Sequence, residues 1–485
     1  MTTQETTLAT FNPVYGWALI AVLVASFVAL TFSLQAGIFI LLFTTIGWYT
    51  WRYPEEGFLL FLILMPILPM FKITQTIGTF SLIKDVIIFT LFARLFVVPL
   101  STKTLQYRRN ILFAPLITLA VWSAVSALRA DSYILGMLRL RDIGLYMMLY
   151  FAVLYLPKHT SEAMRRRLLW FTIGVVITLG LAAWQWFFSV DSAVLRFDPV
   201  REIWIPRISS ILAHPSIYGE YLIAAFTLFV SIVVYGQRNK QWWFILLTVL
   251  TLPAIFLTYS RAVWIGTAAA VAAMAFVYML RIFRGRLVNT VNKVNTRRKS
   301  LMIIVSVIVC IAVGTLLLRF TPAGGLVRSI FDPTYQSNEE RVEFFVRLIA
   351  PLSNTEAVVG RGLGDVIAQN FREVDLEAYD IAAGASRAVQ LTKNTTLVDN
   401  QYLKTFIEMG VVGIVLYLWL YWRVAVTAIQ SVKSSSDSLL GVVGLWAVGF
   451  VAAFAIQALF IDIWDIFPTN ALFWINAALL TSTKK

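Results

Sequence analysis

Several stretches of this chain place ionisable side chains at the ends of long apolar runs. Arg207 and His214 lie in RISSILAHPSIYGEYL, with Glu220 one turn further in. Arg261 sits in LTYSRAVWIG, and Arg341 and Arg347 lie in NEERVEFFVRLIAPL. Asp399 and Asn400 open VDNQYLKTFIEMGVVG, with Glu408 on the turns that follow. Arg139 and Arg141 begin another apolar run and are candidates for the same set. Arginine stays charged and grips phosphate oxygens with a fixed fork of donors. A carboxylate or histidine beside it can take a proton from an attacking hydroxyl. Diphosphate is a workable leaving group once its developing charge is neutralised. These residue types therefore suit transfer of a sugar from a lipid-linked diphosphate to a sugar hydroxyl. Plainer readings stand beside this one. Arg207 and Arg261 could snorkel to lipid headgroups, Glu220 could cap its helix, and His214 before Pro215 suits a helix start.

The elements that position these residues must be membrane helices. Of the 485 residues, 59% are hydrophobic and only 14% are charged, with a mean hydropathy of +0.77. A soluble protein so apolar could not cover its surface with polar groups. Continuous runs, each near the roughly 20 residues that a crossing helix needs, fall at 16–33, 36–50, 57–72, 79–99, 111–128, 134–157, 168–190, 217–236, 242–258, 261–280, 301–319, 399–422, 438–461 and 464–482. The fold class expected is all-α: a polytopic membrane bundle of about 12–14 transmembrane helices. Continuous runs exclude a β-barrel, whose strands alternate. The first run has no basic leader and no small-residue cleavage site, so it reads as a span.

Lysine and arginine set the orientation. Alternate loops carry Arg52; Lys103, Arg108 and Arg109; Lys158 and Arg165 to Arg167; Arg238 and Lys240; the basic run 281–299; and Arg423 with Lys433. The opposite loops hold mainly Arg129, Arg196, Arg201, Arg207 and Arg261. The first set is expected to be cytoplasmic, with both termini inside. This accounts for the net charge of +14 without nucleic acid. The adjacent pairs Lys84–Asp85 and Arg141–Asp142 diverge on a helix and are expected to find partners on other spans.

One segment stands apart. Residues 320–398 form the only long hydrophilic stretch and are expected outside, as a periplasmic loop with short helices over the site. Asn338 to Ala350 reads as an amphipathic helix, with Val342, Phe345, Leu348 and Ile349 at helical spacing. Gly360, Gly362 and Gly364 mark turns. The organisation is thus a helical region over 1–319, an external loop over 320–398 and a second helical region over 399–485. Loops of such length are usually functional or disordered. The single cysteine, Cys310, excludes a disulfide framework, and two histidines, His159 and His214, speak against a multi-histidine metal site. No glycine-rich strand-to-helix turn suggests a nucleotide fold.

At these residues the sequence resembles the O-antigen ligase and polymerase superfamily of bacterial surface-polysaccharide enzymes. Four pieces between about 200 and 420 carry the resemblance: RISSILAHPSIYGEYL, TYSRAVWIG, NEERVEFFVRLIAPL with GRGLGD after it, and DNQYLKTFIEMGVVG. In the last, Asn400 is followed by nine residues and then by Gly410 and Gly413, which matches the family's Gly-x-x-Gly frame. Asp399 stands where the ligase branch has histidine, a departure that favours the polymerase branch.

The resemblance implies a donor diphosphate held by external arginines, carried here to Arg261 first, then Arg207, then Arg341. It implies an acceptor-assisting role at Asp399, which could instead cap the twelfth helix. His214, Glu220, Arg347, Asn400, Glu408, Arg139 and Arg141 complete the expected substrate-binding set. No metal or other cofactor is implied. The implied partners are undecaprenyl-diphosphate-linked oligosaccharides as donor and acceptor, and membrane lipids, with a chain-length regulator as a candidate. The leading expectation is an inner-membrane polysaccharide polymerase that inverts the anomeric centre. The alternatives are an O-antigen ligase, or a related transferase to lipid A core or protein, and a transporter of lipid-linked sugars.

Overall fold

The computed structural model describes residues 33–73, 78–102, 111–156, 160–189, 194–198, 203–212, 214–236, 241–288, 352–366, 400–434 and 438–482, with Val346, Ile349 and Ala350. These residues are almost entirely helical. In chain order the helices are α1 (Leu34–Arg52), α2 (Pro54–Leu64), α3 (Leu68–Ile73), α4 (Ile83–Thr102), α5 (Phe113–Leu128), α6 (Tyr133–Leu154) and α7 (Ser161–Phe188). After a two-stranded hairpin follow α8 (Pro215–Tyr235), α9 (Gln241–Leu257), α10 (Arg261–Val288), α11 (Asn354–Val359), α12 (Gln401–Ser434), α13 (Ser438–Gln457) and α14 (Thr469–Ser482). Among the described residues, five helices are long and apolar enough to cross a membrane: Ser161–Phe188, Pro215–Tyr235, Arg261–Ile282, Gln401–Lys433 and Leu439–Gln457. This is the all-α polytopic architecture that the apolar runs imply. The spans expected at 16–33 and 301–319, and most of 320–398, lie outside the described residues.

The structure differs from the simple span pattern at 57–72, between α7 and α8, and at 464–482, where a 3-10 turn (Ile463–Asp465) and Pro468 precede α14. The run at 57–72 is broken: α2 ends at Leu64, and Pro66 occupies the turn before α3. Proline has no N–H for the helix ladder and crowds the preceding turn. Between α7 and α8 the chain forms an antiparallel hairpin, β1 (Val194–Asp198) on β2 (Ile203–Arg207), with Val194 opposite Arg207 and Asp198 opposite Ile203.

Cross-chain contacts separate the bundle into two ends. At one, the buried Arg167 near the start of α7 bonds to Glu55 in the first turn of α2. There too the Arg281 guanidinium lies 4.8 Å from the centre of the Tyr235 ring, where α8 finishes. At the other end the starts of α4, α6, α8, α12 and α14 gather with the finish of α5 and α13. Arg141 bonds to Asp85, Ser126 to Glu408, Thr469 to Glu220, and Gln401 to Ala458. Residues 352–366 dock here, opposite the Arg281 end. The helices approach closely: a Cβ on Gly219 of α8 would lie 2.6 Å from a Val263 methyl of α10. Small residues permit such backbone approach where hydrophobicity alone does not drive helix association.

The Arg167–Glu55 pair is bidentate at 2.8 and 2.6 Å, with the arginine side chain 1% exposed. Removing the carboxylate takes away the bidentate partner of a buried guanidinium. Glu55→Ala is expected to cost about 3–5 kcal/mol of stability. Glu56→Ala, which removes the solvent-facing Arg166–Glu56 pair, is expected to cost under about 1 kcal/mol. Thermal unfolding of the detergent-solubilised protein measures both.

Candidate active site

Arg207 closes β2 and is buried. Its Nε donates to the Thr258 carbonyl at 2.8 Å, and its guanidinium lies 3.5 Å from Ser216 Oγ. The next residue, Ile208, donates its N–H to the Leu257 carbonyl. These bonds lay the arginine across the corner between α9 and α10. His214 is the N-cap of α8: its Nδ1 accepts the Ser216 N–H at 3.2 Å, with Pro215 at the first helical position. Ser216 Oγ donates to Ser260 Oγ at 3.2 Å, and Ser260 precedes Arg261, the first residue of α10. The starts of α8 and α10 thus meet through two serines beside Arg207. Helix N-termini carry unmatched N–H groups and a partial positive charge, both favourable to an anion. Loss of water around the His214 ring, and then the Arg207 charge, push its pKa down to about 4. A neutral imidazole is also what the Nδ1 acceptor role requires.

A second group lies at the same end. Arg139 of α6 bonds to Asp465, in the connection between α13 and α14, and lies 3.4 Å from Glu408 of α12. Lys404, one turn before Glu408, also bonds to Asp465 and lies 3.5 Å from Asp462. Two cations here face three carboxylates, so this network is suited to holding elements together and not to an added anion. Glu408 is its hub toward residues 360–365. Its Oε1 accepts the Gly364 N–H at 3.1 Å, and its carbonyl accepts from Gly362 N–H at 3.1 Å and Ser126 Oγ at 2.7 Å. Backbone approach at this point is extreme. A Cβ on Gly360 would lie 2.4 Å from the Glu408 oxygen, and one on Gly410 would lie 2.2 Å from the Val358 oxygen. Gly410 also breaks α12, with φ of 68°.

The expected site residues that are described therefore fall into two groups, with Glu220, Asn400 and Arg141 placed apart from both. Arg207, His214 and the Ser260–Arg261 corner form the first. Arg139 and Glu408 belong to the second, and the buried Glu220 takes a hydrogen bond from Thr469 of α14 at 2.8 Å. Asn400 caps α12, its Oδ1 accepting the Leu403 N–H at 3.0 Å. Arg141 reaches across to Asp85 of α4, as expected of a partner on another span, but the two adjacent pairs do not diverge: Lys84 bonds to Asp85, and Arg141 lies 3.9 Å from Asp142. Arg341, Arg347 and Asp399 lie outside the described residues. Sequence reading missed Lys404, Asp462, Asp465, Ser216, Ser260 and Gln185. The Lys404–Glu408 spacing, one helical turn within an apolar run, was the signal available for the network.

A multi-pass helical bundle with a charged, arginine-bearing end is thus in place. Residues 246–418, from α9 into α12, match the family model described as O-Antigen ligase. That match supports the O-antigen ligase and polymerase superfamily, whose members are membrane glycosyltransferase-like enzymes acting on lipid-linked oligosaccharides. No curated protein matches the chain.

Two outcomes are expected. Gly410→Ala forces a side chain into the Val358 carbonyl at a positive φ, so residues 354–366 undock while the helices persist. Limited proteolysis should then cut this segment faster, with unchanged helical circular dichroism. For His214, an unfolded-state pKa of about 6.5 lies above the folded value of about 4. The unfolded chain binds the extra proton in that window. His214 therefore contributes stability that is present above pH 6.5 and is lost as pH falls toward 4. His214→Gln is expected to flatten this decline in thermal unfolding curves.

Proposed function

We propose that the chain is a polysaccharide polymerase of the bacterial inner membrane. It would transfer a glycan from undecaprenyl diphosphate to a sugar hydroxyl of another lipid-linked repeat unit, at the external face, with both termini cytoplasmic. The observation that carries this reading is the meeting of the α8 and α10 starts, through Ser216 and Ser260, beside the buried Arg207. The O-Antigen ligase match over 246–418 includes the α10 side of this corner.

In the proposed step the acceptor oxygen attacks the anomeric carbon as that carbon's bond to the diphosphate oxygen breaks. The electron pair leaves with the polyprenyl diphosphate, whose charge Arg261, Arg207 and Arg341 neutralise. The acceptor proton passes to Asp399. Direct displacement inverts the anomeric centre and draws on the sugar–diphosphate bond, without metal or nucleotide. A chain-length regulator is a candidate partner.

The family description itself favours a second reading, an O-antigen ligase that passes the glycan to lipid A core. Asp399 in the place of the ligase histidine argues for the polymerase. Purified protein given a lipid-linked repeat unit separates the two: lengthening without lipid A core supports polymerisation, and transfer only when core is added supports ligation. Arg261→Ala and Asp399→Asn are each expected to lower the rate of polymer growth by about 10²–10³-fold, the scale for losing a group that stabilises developing charge. Normal polymer length in both variants would refute the site assignment.

A further inference from the structure

The turn after Arg207 is irregular backbone at the edge of an apolar bundle. Ser210 has φ of 53°, in the left-handed region that a non-glycine residue seldom adopts. Peptide groups in such surroundings need partners within the protein. Gln185, one turn from the end of α7, supplies them. Its Oε1 accepts the N–H groups of both Ser209 and Ser210, at 3.1 and 3.0 Å, and the residue is buried. Thr178, two turns earlier on α7, adds its carbonyl, which accepts from Ser210 Oγ at 2.8 Å and from the Tyr218 hydroxyl at 3.3 Å. On the other side the turn is tied to α9 and the residue after it through Ile208 to Leu257 and Arg207 to Thr258. The turn is thus strung between a wall on α7 and the corner before α10, with Arg207 at one end and the α8 cap at the other.

Resting on the diphosphate reading above, we propose that Gln185 is a positioning residue: its side-chain oxygen fixes the 208–210 turn and, through it, the Arg207 guanidinium and the His214 start of α8. A buried carboxamide in an apolar helix is costly unless its oxygen is used. Here one oxygen serves two consecutive backbone donors of the segment that carries the arginine. Gln185 itself touches no reacting atom in this scheme.

The experiment uses full-length protein in lipid nanodiscs, with Cys310→Ser and Ile211→Cys introduced so that a water-soluble maleimide reports on the turn. Gln185→Met keeps the length of the side chain and removes the acceptor, whereas Gln185→Glu keeps an acceptor oxygen. Alkylation at position 211 is expected to rise about tenfold in Gln185→Met, the factor that loss of about one buried hydrogen bond gives. It should stay near the parent rate in Gln185→Glu. Binding of undecaprenyl diphosphate should weaken by a similar factor in Gln185→Met and recover in Gln185→Glu, with helical circular dichroism unchanged. Equal alkylation in all three proteins would overturn the positioning role. Unchanged undecaprenyl diphosphate binding in Arg207→Ala would instead overturn the diphosphate reading, while the alkylation rates still judge Gln185. If Gln185→Met does not fold, Gln185→Asn, whose shorter side chain withdraws the oxygen, takes its place under the same criteria.

Discussion

Satisfying backbone polar groups inside an apolar bundle is the constraint on which the charged end depends. A helix meets it internally, but every turn, kink or docked strand exposes peptide groups that need other partners. In this protein three side chains rooted in or beside helices supply them. Gln185 serves Ser209 and Ser210, Glu408 serves Gly364, and Gln401 accepts the N–H of Trp464 in the connection between α13 and α14. Each irregular piece of backbone at this end is thereby referred to a rigid helix. The arginine turn, residues 360–365 and the α13–α14 connection hold their places for the same physical reason.

Close backbone approach is the second half of that arrangement. Gly360 and Gly410 leave no room for a Cβ on either side of the contact between residues 358–362 and the break in α12. The carbonyls and N–H groups of the two segments can bond only because both side chains are absent, as the Arg361 N–H does with the Ile407 carbonyl at 2.8 Å. The glycine spacing after Asn400, first met as a family signature, thus has a mechanical meaning in this chain. Gly410 lets the helix bend and lets the other strand of backbone lie against the bend.

Much of this was legible in the sequence, and the remainder was hidden for definite reasons. Apolar runs placed α5, α8 and α9 to within about two residues at each end, and the start of α10, because a membrane helix writes its length directly into composition. His214 before Pro215 was open in the sequence between a loop residue and a helix start, and it is the N-cap of α8. The span at 57–72 did not hold, since Pro66 stops a helix that hydropathy alone would continue. Arg139 looked like one more exposed-end arginine. Its partner Asp465 is 326 positions away, and no local pattern announces a pair so distant. Gln185 was overlooked because a single amide in an apolar run has no periodicity, and its function emerges only when the 208–210 turn arrives beside it.

The two charged groups also answer different physical demands. Arg139 and Lys404 are matched to Glu408, Asp462 and Asp465, and such buried networks return little net stability once desolvation is counted. Their effect is selective. Any arrangement that moved the start of α12 or the α13–α14 connection away from α6 would strand a buried charge, at a cost of about 3–5 kcal/mol for one broken pair. The network therefore penalises alternative dockings more than it strengthens the native one. Arg207, by contrast, bonds to neutral oxygens of Thr258 and Ser216, where two helix starts converge. The proposed function uses the Arg207–Arg261 corner, whereas Arg139 and Glu408 tie α6, α12 and the α13–α14 connection together at the same end of the bundle.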